Sequence, residues 1–125
     1  MSLEIYKETI LEHYRNPTNA GVVKNPDVIS KDYNPSCGDV VEIQIKFDND
    51  KIKKIKFQGQ GCAISQSSTD ILIDGMKGKK TDDVKNISSE DFIKKLNIEL
   101  SPLRLKCALL GLKTLKTAVY SYIGK

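Results

Sequence analysis

Tryptophan is absent from this 125-residue chain, and three Phe and five Tyr make up its whole aromatic content, 6% of the residues. So thin a supply argues against a platform on which bases of single-stranded nucleic acid would stack. No stretch comes near the roughly 20 consecutive apolar residues of a membrane-spanning helix. One histidine, His13, is present, far in sequence from the serines at 65, 67 and 68, which removes a Ser-His-Asp reading of that run. Three cysteines are an odd number, so internal disulfides cannot account for all of them. Met1-Ser2-Leu3-Glu4 also lacks the basic stretch and apolar run of a signal peptide. Free thiols in a reducing cytoplasm are the expectation.

What is present is ordinary globular material. Hydrophobic residues are 39% and charged residues 29% of a 14.0 kDa chain, enough for one domain spanning residues 1–125 that buries about two-thirds of its unfolded surface. The net charge of +4 does not form a stripe. Lys51-Ile52-Lys53-Lys54, for example, follows Asp48-Asn49-Asp50, so a solvated lysine-rich surface is the better reading than a nucleic-acid footprint.

Periodicity gives the elements. Leu3, Tyr6, Ile10 and Tyr14 recur at helical spacing and predict a helix over 3–14, ended by Pro17, which pushes the residue before it away from helical angles. Residues 16–38 read as a long connection with one irregular strand near 28–33. Val41, Ile43, Ile45 and Phe47 alternate with polar residues, as do Ile55 and Phe57, and the Asp48-Asn49-Asp50 turn between them makes an antiparallel hairpin. Ile52 is out of phase with Ile55, which calls for a bulge. Gly59-Gln60-Gly61 closes the hairpin, and a helix follows from Cys62 to about Asp74. Thr81 and the Ser88-x-x-Asp91 capping pattern open two more helices. Pro102 opens a last one, whose stripe of Ala108, Leu112, Leu115, Val119 and Tyr122 is core; Tyr120 and Tyr122 read as packing of this helix. Strands followed by helices without alternation predict an α+β fold: a small antiparallel sheet, hairpin plus irregular strand, packed against several helices.

The chemistry lies in the cysteines. Cys37, Cys62 and Cys107 stand in Asn34-Pro35-Ser36-Cys37-Gly38-Asp39, Gly59-Gln60-Gly61-Cys62-Ala63 and Arg104-Leu105-Lys106-Cys107-Ala108. Each reads as a turn position, two are flanked by glycine, and Cys62 and Cys107 fall near helix starts, where the dipole favours a thiolate. Lys106 acts in the same direction. Asp39 adds an oxygen beside Cys37. Three sulfurs and one oxygen suit tetrahedral zinc or an iron–sulfur cluster, with the carboxylate as the hard, weak member of a soft set. Such a site receives and releases its contents more readily than one built from four thiolates.

Four segments together resemble the NifU-like N-terminal family, which includes the IscU and SufU iron–sulfur assembly proteins: Glu12-His13-Tyr14-Arg15-Asn16-Pro17-x-Asn19, Asn34-Pro35-x-Cys37-Gly38-Asp39, Gly61-Cys62-x-Ile64-Ser65 and Arg104-x-Lys106-Cys107-Ala108. They run the length of the chain in the family's order. The resemblance implies that Cys37, Asp39, Cys62 and Cys107 converge to hold zinc or a transient 2Fe-2S cluster. It also implies that a cysteine desulfurase donates sulfur, that one cysteine (Cys107 or Cys62) carries it as persulfide, and that apo iron–sulfur proteins accept the product. IscU-type members have histidine before the third cysteine, where this chain has Lys106 as SufU-type members do. SufU-type members usually carry an insertion between the second and third cysteines, which the run from Met76 to Pro102 lacks. Leu100-Ser101-Pro102-Leu103-Arg104 replaces the Leu-Pro-Pro-Val-Lys of IscU-type members, and the lost proline argues against a dedicated heat-shock chaperone.

The readings that follow are a cluster assembly scaffold, a zinc-dependent sulfurtransferase that relays persulfide sulfur without assembling a cluster, and a zinc-stabilised interaction module. A scaffold or sulfur acceptor is favoured over a true enzyme, with neither nucleic acid nor membrane as partner. Lys106 is either a site neighbour, pairing with Asp39 or attracting persulfide, or a solvated helix-start lysine. His13 reads as packing or a hydrogen bond rather than a ligand, and the serines of the 65–68 run as helix surface with local hydrogen bonds.

Overall fold

The computed structural model describes residues 8–36 and 38–124. Among these residues eight elements follow one another: α1 (Glu8–Arg15), β1 (Val28–Asn34), β2 (Asp39–Asp48), β3 (Lys51–Gln60), α2 (Ala63–Asp74), α3 (Thr81–Lys85), α4 (Ser89–Leu96) and α5 (Pro102–Ile123). The strands form one antiparallel sheet in the order β1-β2-β3. It is an α+β fold, as the run of strands followed by helices requires.

The alternation in β2 sets which face of the sheet is covered. Val41, Ile43, Ile45 and Phe47 are buried with Ile52, Ile55 and Phe57 of β3, each contributing about 2 kcal/mol by leaving water. These residues join Ile64, Leu72 and Ile73 of α2 and Ala108, Leu112, Leu115 and Val119 of α5 in one hydrophobic cluster. Asn49 and Asp50 take left-handed angles, φ 53° and 62°, a tight-turn geometry that Asn and Asp tolerate and that follows the twist of a hairpin. Pairing runs Lys46↔Lys54 and then Phe47↔Ile52. Lys53 is therefore the extra residue of a bulge, which brings Ile52 back to the buried face.

The free edge of β3 is partly covered. Asn19 O accepts from Phe57 N at 2.9 Å, and Gly21 N donates to Phe57 O at 2.9 Å, so a short stretch after α1 pairs where the edge would otherwise stay open. Ser88 Oγ accepts from Asp91 N at 3.0 Å and Ser101 Oγ from Arg104 N at 3.3 Å. These are the N-caps expected of serine. The 22-residue α5 is about 33 Å long at 1.5 Å per residue. It packs against α2 and the sheet. A side chain on Gly111 would run into Thr69 of α2, so the two helices meet where one residue has no Cβ.

Several expectations need correction. The predicted helix over 3–14 lies partly outside the described residues; its described part ends at Arg15, before Pro17. The strand expected to be irregular is a regular seven-residue ladder, Val28↔Ile45 through Asn34↔Asp39. Gly59 and Gln60 belong to β3, and only Gly61 breaks the strand. Ser65, Ser67 and Ser68 are buried, because α2 lies between α1, α5 and the sheet. Their hydroxyls largely bond back to the helix, Ser65 Oγ to Cys62 O at 3.1 Å and Ser67 Oγ to Ala63 O at 2.5 Å, as serine does when water is excluded. Tyr122 stacks on Phe47 with ring centroids 3.9 Å apart, whereas Tyr120 is exposed.

Candidate metal centre

Antiparallel pairing brings two of the predicted ligands, Asp39 and Cys62, to one end of the sheet. Asn34 lies opposite Asp39, and Val40 opposite Gln60, so the end of β1, the start of β2 and the end of β3 are neighbours. Cys62 follows β3 as the N-cap of α2, with extended angles of φ −74° and ψ 163°, and makes no side-chain cap of its own. Asp39 supplies the cap from another strand, its Oδ1 accepting from Cys62 N at 2.9 Å. A carboxylate at a helix N-terminus is favoured by the dipole and by the unpaired N–H groups there.

Asp39 Oδ1 being tethered, Oδ2 faces the sulfur, 3.5 Å from Cys62 Sγ. Cys107 completes a group in which the two Sγ atoms and a carboxylate oxygen all lie within 4.8 Å of one another. Asp39 and Cys107 are 1% and 2% exposed, while Cys62 is only partly buried, so the pocket opens on the Cys62 side. Gly61 makes the approach possible. Its φ is +144°, and a Cβ there would strike the Asp39 carboxylate; a residue with a side chain satisfies neither condition.

The donor set fits a tetrahedral ion. With metal–sulfur bonds near 2.3 Å and metal–oxygen bonds near 2.1 Å, sulfur and oxygen ligands sit about 3.6 Å apart. The observed 3.5 Å between Cys62 Sγ and Asp39 Oδ2 needs almost no adjustment. Cys37 lies outside the described residues.

The position of Cys107 differs from the sequence reading. It is not at a turn but in the second turn of α5, six residues after the Ser101 N-cap. Pro102 starts that helix, and Leu103, Arg104, Leu105 and Lys106 are strong helix formers that carry it past the cysteine. The dipole acts mainly in the first turn, so it does little for this thiol. Lys106 is exposed and takes part in none of the ion pairs of the described residues.

Two groups escaped the sequence. Asn34, buried with 6% exposure, directs Nδ2 at Cys107 Sγ at 3.9 Å. Asp70, fully buried, receives His13 Nδ1 at 2.5 Å, Thr18 N at 3.3 Å, and both Asn19 N and Asn19 Nδ2 at 2.9 and 3.1 Å. His13 is thus a hydrogen-bonding partner, and its nearest carboxylates, Asp70 and Asp74, are already served by donors from α1 and the following turn. A polar residue on α2 gives no local sign of such a role. A cleft of about 760 Å³, lined in part by Tyr14, Phe57, Gly61 and Gln66, reaches this end of the sheet.

Two thiols and a carboxylate gathered at the end of a small antiparallel sheet define a class of soft-metal or sulfur-handling sites. The chain belongs to the NifU-like N terminal domain family, whose model matches residues 5–125. It is 33% identical to the zinc-dependent sulfurtransferase SufU of Bacillus subtilis over 92% of this chain and 89% of that protein. It is 34% identical to the iron-sulfur cluster assembly scaffold protein IscU of Aquifex aeolicus, over 100% of this chain and 80% of that one. A solved structure from Fervidobacterium islandicum, a putative iron-sulfur cluster assembly scaffold protein for the SUF system, superposes with a TM-score of 0.79 at 34% identity, covering 95% of this chain and 99% of that one. Among the described residues no helix is long and apolar enough to cross a membrane.

Proposed function

We propose that this chain is a cytoplasmic iron–sulfur cluster assembly scaffold that accepts sulfur from a cysteine desulfurase and transiently holds a 2Fe-2S cluster or zinc. The observation that carries this reading is the mutual approach of Asp39, Cys62 and Cys107 ligand atoms within 4.8 Å; Cys37, which the sequence motif supplies, is the proposed third thiolate. In the sulfur step, the Cys107 or Cys62 thiolate attacks the outer sulfur of the donor's cysteine persulfide. The new S–S bond forms as the old one breaks, and the donor cysteine leaves as thiolate. Cys62, the partly exposed thiol, is the more accessible of the two; Cys107 is buried at rest. Cluster or metal then passes to an apo iron–sulfur protein.

A second reading, a zinc-dependent sulfurtransferase, is supported by the B. subtilis relative and by Lys106 preceding the third cysteine. The two are separated by reconstitution with iron and sulfide, run beside metal analysis and a desulfurase assay on protein purified without chelator. A coloured cluster that transfers to apo-ferredoxin supports the scaffold. Retained zinc with stimulated desulfurase and no cluster supports the sulfurtransferase. Zinc without effect on the desulfurase reduces the chain to a zinc-stabilised interaction module.

A further inference from the structure

The Asn34 side chain is held in one orientation. Its Oδ1 accepts from Ser36 N at 3.0 Å, the local turn that asparagine forms with the backbone two residues on. Because a backbone N–H can only donate, oxygen must face Ser36 and the NH2 group must face away from it. That NH2 group points at Cys107 Sγ, 3.9 Å from Nδ2. Both side chains are almost wholly buried, with Asn34 at 6% and Cys107 at 2% exposure, so water does not compete for the sulfur. Asn34 is also fixed through its backbone, opposite Asp39 in the β-ladder and accepting from Gly38 N at 2.7 Å. The same residue therefore anchors both ends of the 35–38 loop and aims one donor at the thiol of α5.

We infer that Asn34 is a positioning residue for the Cys107 sulfur, donating an N–H···S hydrogen bond that orients it and withdraws electron density from it when it serves as a ligand. This rests on the proposed metal- and cluster-binding reading of the site and adds a residue outside the four ligands. Hydrogen bonds to ligating sulfur are among the levers by which a protein tunes a thiolate centre, and loss of an outer-shell partner typically costs tenfold or more in metal affinity. Cys107 is then a thiolate drained of charge by a fixed amide.

Cobalt(II) is the probe, because its sulfur-to-metal charge-transfer band reports how electron-rich the sulfurs are. Asn34→Ser is the decisive variant: its hydroxyl can still accept from Ser36 N and keep the turn, but it is too short to reach the sulfur. The expected result is a charge-transfer band moved to longer wavelength, with one cobalt still bound per chain and affinity lower by about tenfold. Asn34→Ala, which loses both the turn and the donor, should move the band in the same direction. Asn34→Gln, which keeps an amide donor, should move it less than serine does. A band unmoved in Asn34→Ser while the parent binds cobalt through sulfur would overturn this role for Asn34 and leave the metal reading standing. A parent that bound no cobalt through sulfur would overturn both.

Discussion

His13 and Asp70, 57 residues apart in the chain, meet with Nδ1 and Oδ2 at 2.5 Å. The carboxylate is fully buried and also receives the Thr18 and Asn19 backbone N–H groups, so one anion fastens α1 and the turn after it to the middle of α2. The same turn supplies the Asn19 and Gly21 bonds to the β3 edge.

Asp70→Ala should therefore cost about 3 kcal/mol, the penalty for removing one partner of a buried pair and stranding its donors. Urea unfolding measures it, and hydrogen exchange should show amides of α1 opening first. A loss below about 1 kcal/mol would mean that water or Asp74 replaces the carboxylate at little cost.

Zinc should raise the melting temperature. The proposed ligands come from the start of β2, the cap of α2 and the second turn of α5, so an ion bound only by the folded state ties three segments together. At a free concentration one hundred times its dissociation constant, the gain is about 2.7 kcal/mol. An unchanged melting temperature under conditions where binding is shown independently would refute the coupling.

Asp39→Ala should slow transfer of a cluster to apo-ferredoxin while reconstitution survives, since the carboxylate is the weak ligand of the set. Cys62→Ala and Cys107→Ala should each abolish reconstitution. Visible absorbance follows all three. Transfer by Asp39→Ala as fast as the parent's would leave Asp39 only its cap to Cys62 N–H.

Tyr122 predicts an alkaline limit. Burial, then the Asp50 and Asp27 carboxylates, and a hydrogen bond donated to Asp50 all raise its phenol above the ordinary value of 10. A group with a raised pKa in the folded state contributes stability that is complete below the unfolded value and is lost as pH climbs through the folded one. Unfolding free energy should accordingly fall above pH 10 in the parent and fall less in Tyr122→Phe, which keeps the stack on Phe47. Parallel pH profiles for the two proteins would remove Tyr122 as the cause.

The sequence was legible where the determining physics is local. Alternation in Val41–Phe47, the phase slip at Ile52 and the cap at Ser88 each depend on residues a few positions apart, and each stands in the structure. Asp39 and Cys62 were legible as candidates because a glycine and a strand end mark their surroundings. Cys107 reads as a turn position near a helix start, but the helix-forming run Leu103-Arg104-Leu105-Lys106 places it in the second turn of α5. The contacts of Asn34 with Cys107 and of Asp70 with His13 gave no signal, since the partners lie 73 and 57 residues apart and nothing in the neighbouring sequence encodes such a meeting.

The contact between Gly111 and Thr69 has a mechanical consequence. Gly111 is four residues beyond Cys107 and Thr69 seven beyond Cys62, which places the contact about 6 Å and about 10 Å along the two helix axes from the thiols. Two stiff rods pinned so close to their tips work as tweezers: a small thrust at the pivot is delivered to the jaws. A methyl group added at Gly111 would press on Thr69 of α2, and the expected relief, α5 moving off α2 at that point, would change the spacing of two sulfurs it does not touch. The spacing of the two thiols is thus open to adjustment from a position that carries no chemistry of its own.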